Sequence, residues 1–359
     1  MRSIFYADDF NGGKTIKNKR KGEKTMKKRV AKTVLGAALA ASMVMTGVTV
    51  SAEAPAEEMS FNYTPVENTK GDEVRIATLL VQNNPFWVKV AEGAEDVKTF
   101  LADEKYNCTV DIISFDDFDG QEFAEAINTC VVKGYDAICT VGVADSIVPA
   151  IDAAVKAGIP VYTFNSETEK ESQKTAFVGQ DLYNAGVLVG ETLADLMGGE
   201  GQVGIITGYY NVHAHELRRQ GIEEALGKVE GIEIVGDVEN HDSGDEAYTA
   251  TKNFITANPD IKGIAVTAGG PHGAAKAIEE LGMQDQITLV CFDTTDEIVS
   301  YLKSGIINAT VDQDPYGQGS DPIILAYNHV ITGEPEVEGN AFTNMDVYTP
   351  DNVNEFFPD

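Results

Sequence analysis

Short apolar runs alternate along the chain with longer stretches whose apolar residues recur every three or four positions. Val74 to Val81 is apolar except for Arg75 and Thr78 and reads as a buried strand; Val90, Ala94, Val97 and Leu101 then fall on one face of a helix. Asn84 suits an N-cap and Pro85 a first helical turn, which makes Gln82-Asn83-Asn84-Pro85-Phe86-Trp87 a strand-to-helix turn. The alternation continues with a strand over 108–115, a helix capped by Asp119 with Phe123, Ile127, Cys130 and Val131 inward, a strand over 137–141, a helix over 146–157 and a strand over 161–164. Such a βαβαβαβ run predicts a parallel sheet covered on both faces. Near Asp181 a second run begins, with helices over 185–197, 214–226, 246–257 and 273–281 and strands over 203–207, 232–235, 263–267 and 287–292. The expectation is α/β: two doubly wound parallel-sheet halves, with a cleft between the C-terminal edges of their strands, where open sheets bind ligands.

Polar residues collect at those edges. Asn165 and Ser166 follow Phe164, Thr267 ends its strand, Asp293 follows Phe292, and Gln313 closely follows Ala309-Thr310-Val311. Arg218 lies on a helix as Arg218-Arg219-Gln220-Gly221, after the loop Gly208-Tyr209-Tyr210-Asn211. One such residue alone reads as a cap or a turn; several at one edge read as a binding site. Phe86 and Trp87, the latter the only Trp, sit beside amides at the first strand's end. That grouping suits a sugar, an apolar wall for the C–H face and amides for the hydroxyls.

Charge narrows the classes. Residues 1–52 hold 11 of the 27 Lys and Arg but 3 of the 57 Asp and Glu, leaving 16 basic and 54 acidic side chains after residue 52, a net charge of −38. Such a surface repels phosphate backbones and anionic membranes, which excludes nucleic acid as a partner. The basic excess begins Met26-Lys27-Lys28-Arg29, an apolar run extends over 34–50, and Ser51-Ala52 closes it: a secretory signal peptide over 26–52, cut near Ala52. Residues 1–25 read as an over-extended start upstream of it, and 53–72 as a flexible tether. Cys108, Cys130, Cys139 and Cys291 show no metal-ligand spacing and read as small core hydrophobes, although export would permit a disulfide. Gly199-Glu200-Gly201-Gln202-Val203-Gly204 matches a dinucleotide fingerprint, but it precedes a strand and is a turn. No nucleophile elbow, phosphate loop or zinc motif occurs. No cofactor, metal or catalytic residue is expected.

The segments Asn83-Asn84-Pro85-Phe86, Arg218 to Gly221, Thr256-Ala257-Asn258-Pro259-Asp260, Phe292-Asp293 and Ala309-Thr310-Val311-Asp312-Gln313 resemble the sugar-binding branch of type I periplasmic binding proteins, the solute carriers of ABC transporters, and its ribose binders in particular. The resemblance implies that Asn84, Phe86 and Trp87 contact ligand from one lobe and Arg218, Asp293 and Gln313 from the other lobe and the hinge. It implies a three-segment hinge near Gln180-Asp181, Gln313-Asp314 and Phe342, so that residues 73–180 and 314–342 form the N-terminal lobe and 181–313 and 343–359 the C-terminal lobe. The ribose binders' Asp-Arg pair is here Asn165-Ser166, their Asn at the position of Thr267 is absent, and their aromatic near Asp242 is replaced, which points away from ribose itself.

The expected function is an extracytoplasmic, monomeric binder that closes on a neutral monosaccharide or sugar alcohol, with Asp293 and Arg218 offsetting each other, and delivers it to the transmembrane subunits of an ABC permease. The alternatives are a furanosyl quorum-signal binder, a sugar sensor for a chemoreceptor, the sensing domain of a repressor, and an exported α/β hydrolase.

Overall fold

The computed structural model describes residues 61–82 and 84–358. The expected start extension, the signal peptide and Asn83 lie outside them. The first lobe is built from β1 (Val74–Val81), α1 (Pro85–Leu101), β2 (Cys108–Phe115), α2 (Gly120–Lys133), β3 (Ala137–Val141), α3 (Val148–Lys156), β4 (Val161–Phe164) and β5 (Ala176–Gly179). The second follows with α4 (Leu182–Leu196), β6 (Glu200–Thr207), α5 (His213–Gly227), β7 (Gly231–Glu239), α6 (Gly244–Ala257), β8 (Ile261–Val266), α7 (Pro271–Glu280), β9 (Thr288–Phe292), α8 (Asp296–Lys303) and β10 (Ala309–Val311). The chain ends in α9 (Pro315–Thr332), β11 (Gly339–Phe342), β12 (Val347–Tyr348) and α10 (Val353–Phe356).

Two six-stranded sheets result, in the orders β11-β5-β4-β3-β1-β2 and β12-β10-β9-β8-β6-β7. Every pairing is parallel except β10 with β12. β1 lies inside the sheet between β3 and β2 and is almost wholly buried, as its apolar run requires, and Val90, Ala94, Val97 and Leu101 of α1 pack down with no exposure. Helix α9 returns to the first lobe and lies on α1, β1 and β3. Its approach to α1 is close enough that a Cβ on Gly319 would sit 1.9 Å from the Val90 carbonyl oxygen.

The chain passes between lobes after β5, after β10 and after β11, and the three crossings are tied together. Gln180 Nε2 donates to Asp312 O at 3.1 Å, Thr343 N to Gly179 O at 2.8 Å, and Thr343 Oγ1 to Gln313 O at 3.2 Å.

The part of the expected tether that is described is not free. Phe61, Tyr63 and Val66 pack against the first lobe's core, with the Phe61 ring edge-on to Phe100 at 5.4 Å. Asn62 Nδ2 donates to Asp314 at 2.8 Å and Asp321 at 2.9 Å, and Val66 N donates to Asn328 Oδ1 at 3.0 Å. Three apolar side chains spaced through a polar stretch give no periodicity, yet each finds a slot, and the segment becomes an arm against α9. The four cysteines are buried free thiols. The glycine-rich stretch turns through left-handed Gly198 and Gly199 and enters β6 at Glu200. Among the described residues no helix is long and apolar enough to cross a membrane.

Candidate functional site

A cavity of about 40 Å3 lies between the lobes at the C-terminal strand edges, well below the ~300–1,000 Å3 of drug-sized ligand pockets. Asn84, Phe86, Trp87, Phe118 and Asn165 line it from the first lobe; Ala214, His215, Arg218, Asp242, Ala268, Gly269 and Asp293 from the second; and Gln313 from the hinge.

Each wall follows from local structure. Asn84 caps α1 through its Oδ1, which accepts from Phe86 N at 3.0 Å, and Pro85 takes the first helical position. This fixes Phe86 and Trp87 in the first turn. Their rings meet edge to face at 5.4 Å and 85°, and Trp87 also abuts Phe118 at 6.1 Å. Two rings at a right angle cannot both lie flat on one ligand ring, so one offers a face and the other an edge.

The opposite wall is a polar relay. Arg218 is 4% exposed; its Nη2 donates to Gln180 Oε1 at 2.7 Å and Gln313 Oε1 at 2.6 Å, and its Nη1 to Thr267 O at 3.2 Å. Its guanidinium lies 4.1 Å over the Phe292 ring, and its Nε is buried without a partner. Gln313 Nε2 donates in turn to Asp293 Oδ1. The Arg-x-x-Gly spacing acquires a reason here: α5 rests on α4 so closely that a Cβ on Gly221 would lie 2.2 Å from Tyr183 O, and one on Gly186 2.2 Å from Arg218 O. Small residues at that contact seat Arg218 in the cleft.

Three chamber side chains project from left-handed backbone: Asn165 at φ 64°, Asp242 at φ 56° and Asp293 at φ 78°. Asn and Asp tolerate this conformation better than other non-glycine residues, and it turns a side chain sharply at a strand's end. Asn165 Nδ2 donates to Gln318 Oε1 at 2.9 Å, which leaves its own oxygen for a donor. Asp242 Oδ1 accepts from Gly269 N at 2.9 Å.

Burial shapes the charges. It pushes the Asp293 carboxyl up to about 6, against the pull of Arg218 and the Gln313 hydrogen bond. It lowers Arg218 to about 10, which leaves the group protonated at neutral pH. His215 is pushed down by burial, and its Nδ1 accepts from Tyr209 N at 3.0 Å, so the neutral ring keeps its proton on Nε2.

Seven of the residues expected from sequence therefore meet in the chamber: Asn84, Phe86, Trp87, Asn165, Arg218, Asp293 and Gln313. Ser166 and Thr267 do not line it. Ser166 is buried behind Asn165, its carbonyl accepting from Gly142 N at 2.9 Å, and Thr267 pairs its hydroxyl with Thr207 at 2.8 Å while holding Arg218 through its carbonyl. A strand-end position gives the edge of the sheet, while the pleat and the turn decide the direction. Sequence reasoning passed over Phe118, His215, Asp242 and Gln318. Phe118 and Asp242 each follow a strand, β2 and β7, and that shared position was the available signal.

A two-lobed α/β protein with its polar relay and aromatic wall meeting between the lobes is a binding protein in architecture. The chain belongs to the periplasmic binding protein domain family, whose model matches residues 78–335. It is 28% identical over 256 residues to a D-apiose import binding protein of Actinobacillus succinogenes, covering 70% of this chain and 80% of that protein. It is 27% identical over 285 residues to a xylitol-binding protein of Mycolicibacterium smegmatis, covering 79% of each. Among solved structures, a glucose-galactose binding protein from Geobacillus stearothermophilus superposes with a TM-score of 0.70 at 27% identity, covering 78% of this chain and 99% of that one.

Proposed function

We propose that this chain is the extracytoplasmic solute-binding component of an ABC transporter. It captures a monosaccharide or sugar alcohol between its lobes, closes about the three-stranded hinge and hands the ligand unchanged to the permease. The relatives' sugar and polyol ligands support this over the furanosyl-signal, sensor, repressor and hydrolase alternatives. The observation that carries it is the juxtaposition of the Phe86–Trp87 wall with Arg218, Gln313 and Asp293 across one chamber. A carboxylate accepts from neighbouring hydroxyls, amides do both, and an aromatic ring covers the C–H face. Lobe closure excludes water and makes each of these contacts count for more. A dissociation constant of about 1 μM corresponds to about −8 kcal/mol, within reach of several such hydrogen bonds and one stacking face.

Calorimetry of the purified protein against pentoses, hexoses, deoxy sugars and inositols tests the reading. One saturable ligand per chain, recovered chemically unaltered, is expected; silence across the panel, or turnover of the bound sugar, refutes it.

A further inference from the structure

The chamber's charges do not cancel. Its wall holds two carboxylates, Asp242 and Asp293, and one cation, Arg218; His215 is neutral. Asp312 adds to the negative side of Asp293, and Lys89, on the adjoining outer pocket, is paired with Glu92 at 2.7 Å. Three of the cation's five N–H donors are also taken within the protein, and its Nε is buried without a partner. Both terminal nitrogens of Arg218 donate to Gln180, Gln313 and Thr267 O, and its face is covered by Phe292.

The carboxylates, by contrast, are half used. Asp293 Oδ1 takes Gln313 Nε2 and Asp242 Oδ1 takes Gly269 N, and the second oxygen of each has no donor among the described residues. Closing the lobes over them strips water from an uncompensated negative charge, which is unfavourable unless the ligand brings a positive one.

We infer that the ligand carries a protonated amine: the chamber takes an amino sugar or amino polyol whose ammonium group sits between Asp242 and Asp293. This rests on the sugar-binding reading and narrows it. An ammonium group has three donors and no acceptor, which suits two free carboxylate oxygens better than a hydroxyl does. The wall of Phe86, Trp87 and Phe118 favours a cation as well, through the negative faces of its rings. Burial raises the Asp293 carboxyl despite the pull of Arg218, with Asp312 and Asp242 adding to the rise, and a cation beside it would offset that cost. Anionic sugars, such as uronates and sugar phosphates, would add a second uncompensated charge and are excluded.

Matched ligands test this in the intact protein by calorimetry near neutral pH: glucosamine, galactosamine, mannosamine and an inosamine, each beside its hydroxyl counterpart and its N-acetyl derivative. At least one amine should bind roughly tenfold or more tighter than both partners. Asp242→Asn should shrink that ratio toward one, and Asp242→Glu should retain most of it, which separates charge from disturbance of the fold. A hydroxyl sugar that binds as tightly as its amine refutes the amine and leaves the sugar-binding reading standing. Absence of binding by every member overturns both.

Discussion

Asp293→Asn separates what the chamber costs from what it does. Asn keeps the shape and an oxygen for Gln313 Nε2 but removes the charge. Burial raises the carboxyl from 3.8 to about 6 in the folded protein. A shift of about two units is worth about 3 kcal/mol between the two protonation states. The sign follows from its direction. Because the folded pKa is the higher one, the folded state binds the proton more tightly, so the stabilising contribution is complete below about pH 3.8 and lost as pH rises through about 6. Relative to the Asn variant, ligand-free wild type should lose about 2 kcal/mol between about pH 4 and about pH 7.5. All other carboxylates titrate alike in both proteins and cancel in the difference. Paired urea titrations at the two pH values measure it, and a difference that stays flat with pH would refute a buried, ionisable Asp293. At neutral pH the same variant should bind ligand about 100-fold more weakly or worse, since an amide cannot replace the carboxylate opposite a hydroxyl or ammonium donor. A stabler protein that no longer binds is the expected phenotype. Wild-type affinity should itself fall below about pH 6, as Asp293 takes up its proton.

Arg218→Lys keeps a positive charge but loses the fork that reaches Gln180 and Gln313 together, and affinity should fall about 100-fold in calorimetry; retention within about threefold would place recognition elsewhere. Gly221→Ala drives a Cβ toward Tyr183 O and should lower stability by about 3 kcal/mol in urea unfolding while weakening binding, because the helix that moves carries Arg218. Asn62→Ala frees Asp314 and Asp321 from their shared donor; the cost is about 1 kcal/mol at this exposed position, and an unchanged unfolding midpoint would mean that the arm does not hold α9.

The fold was legible where local pattern decides it. β1, β2, β3 and β4 appear in sequence as apolar runs with their observed bounds, and Asn84 and Asp119 cap α1 and α2 as their positions predict. What failed to show was short or non-local. β11 is mostly exposed and β12 has two residues, so neither shows an apolar run, and β5 reaches glycine after three apolar residues. α8 was missed as a helix although Thr295 caps it.

The site divides in the same way. Asn165 and Asp293 were found because a polar residue closing an apolar run is visible in one dimension, and Arg218 because a short motif carried it. Thr267 satisfies the same rule and faces away, since its hydroxyl is taken by Thr207. Asp242 also follows a strand and faces the chamber, but β7 before it is amphipathic and partly exposed, so no apolar run marked its end. That omission matters beyond one residue. Counted as Asp293 against Arg218, the charges balance and favour a neutral ligand. With Asp242 in the wall and the guanidinium turned to Gln180, Gln313 and Thr267 O, the chamber carries a net negative charge facing the ligand. A sum over the sequence weighs every charge equally. A folded cavity weighs each by the hydrogen bonds it has already made, and on that count the missing partner is a cation.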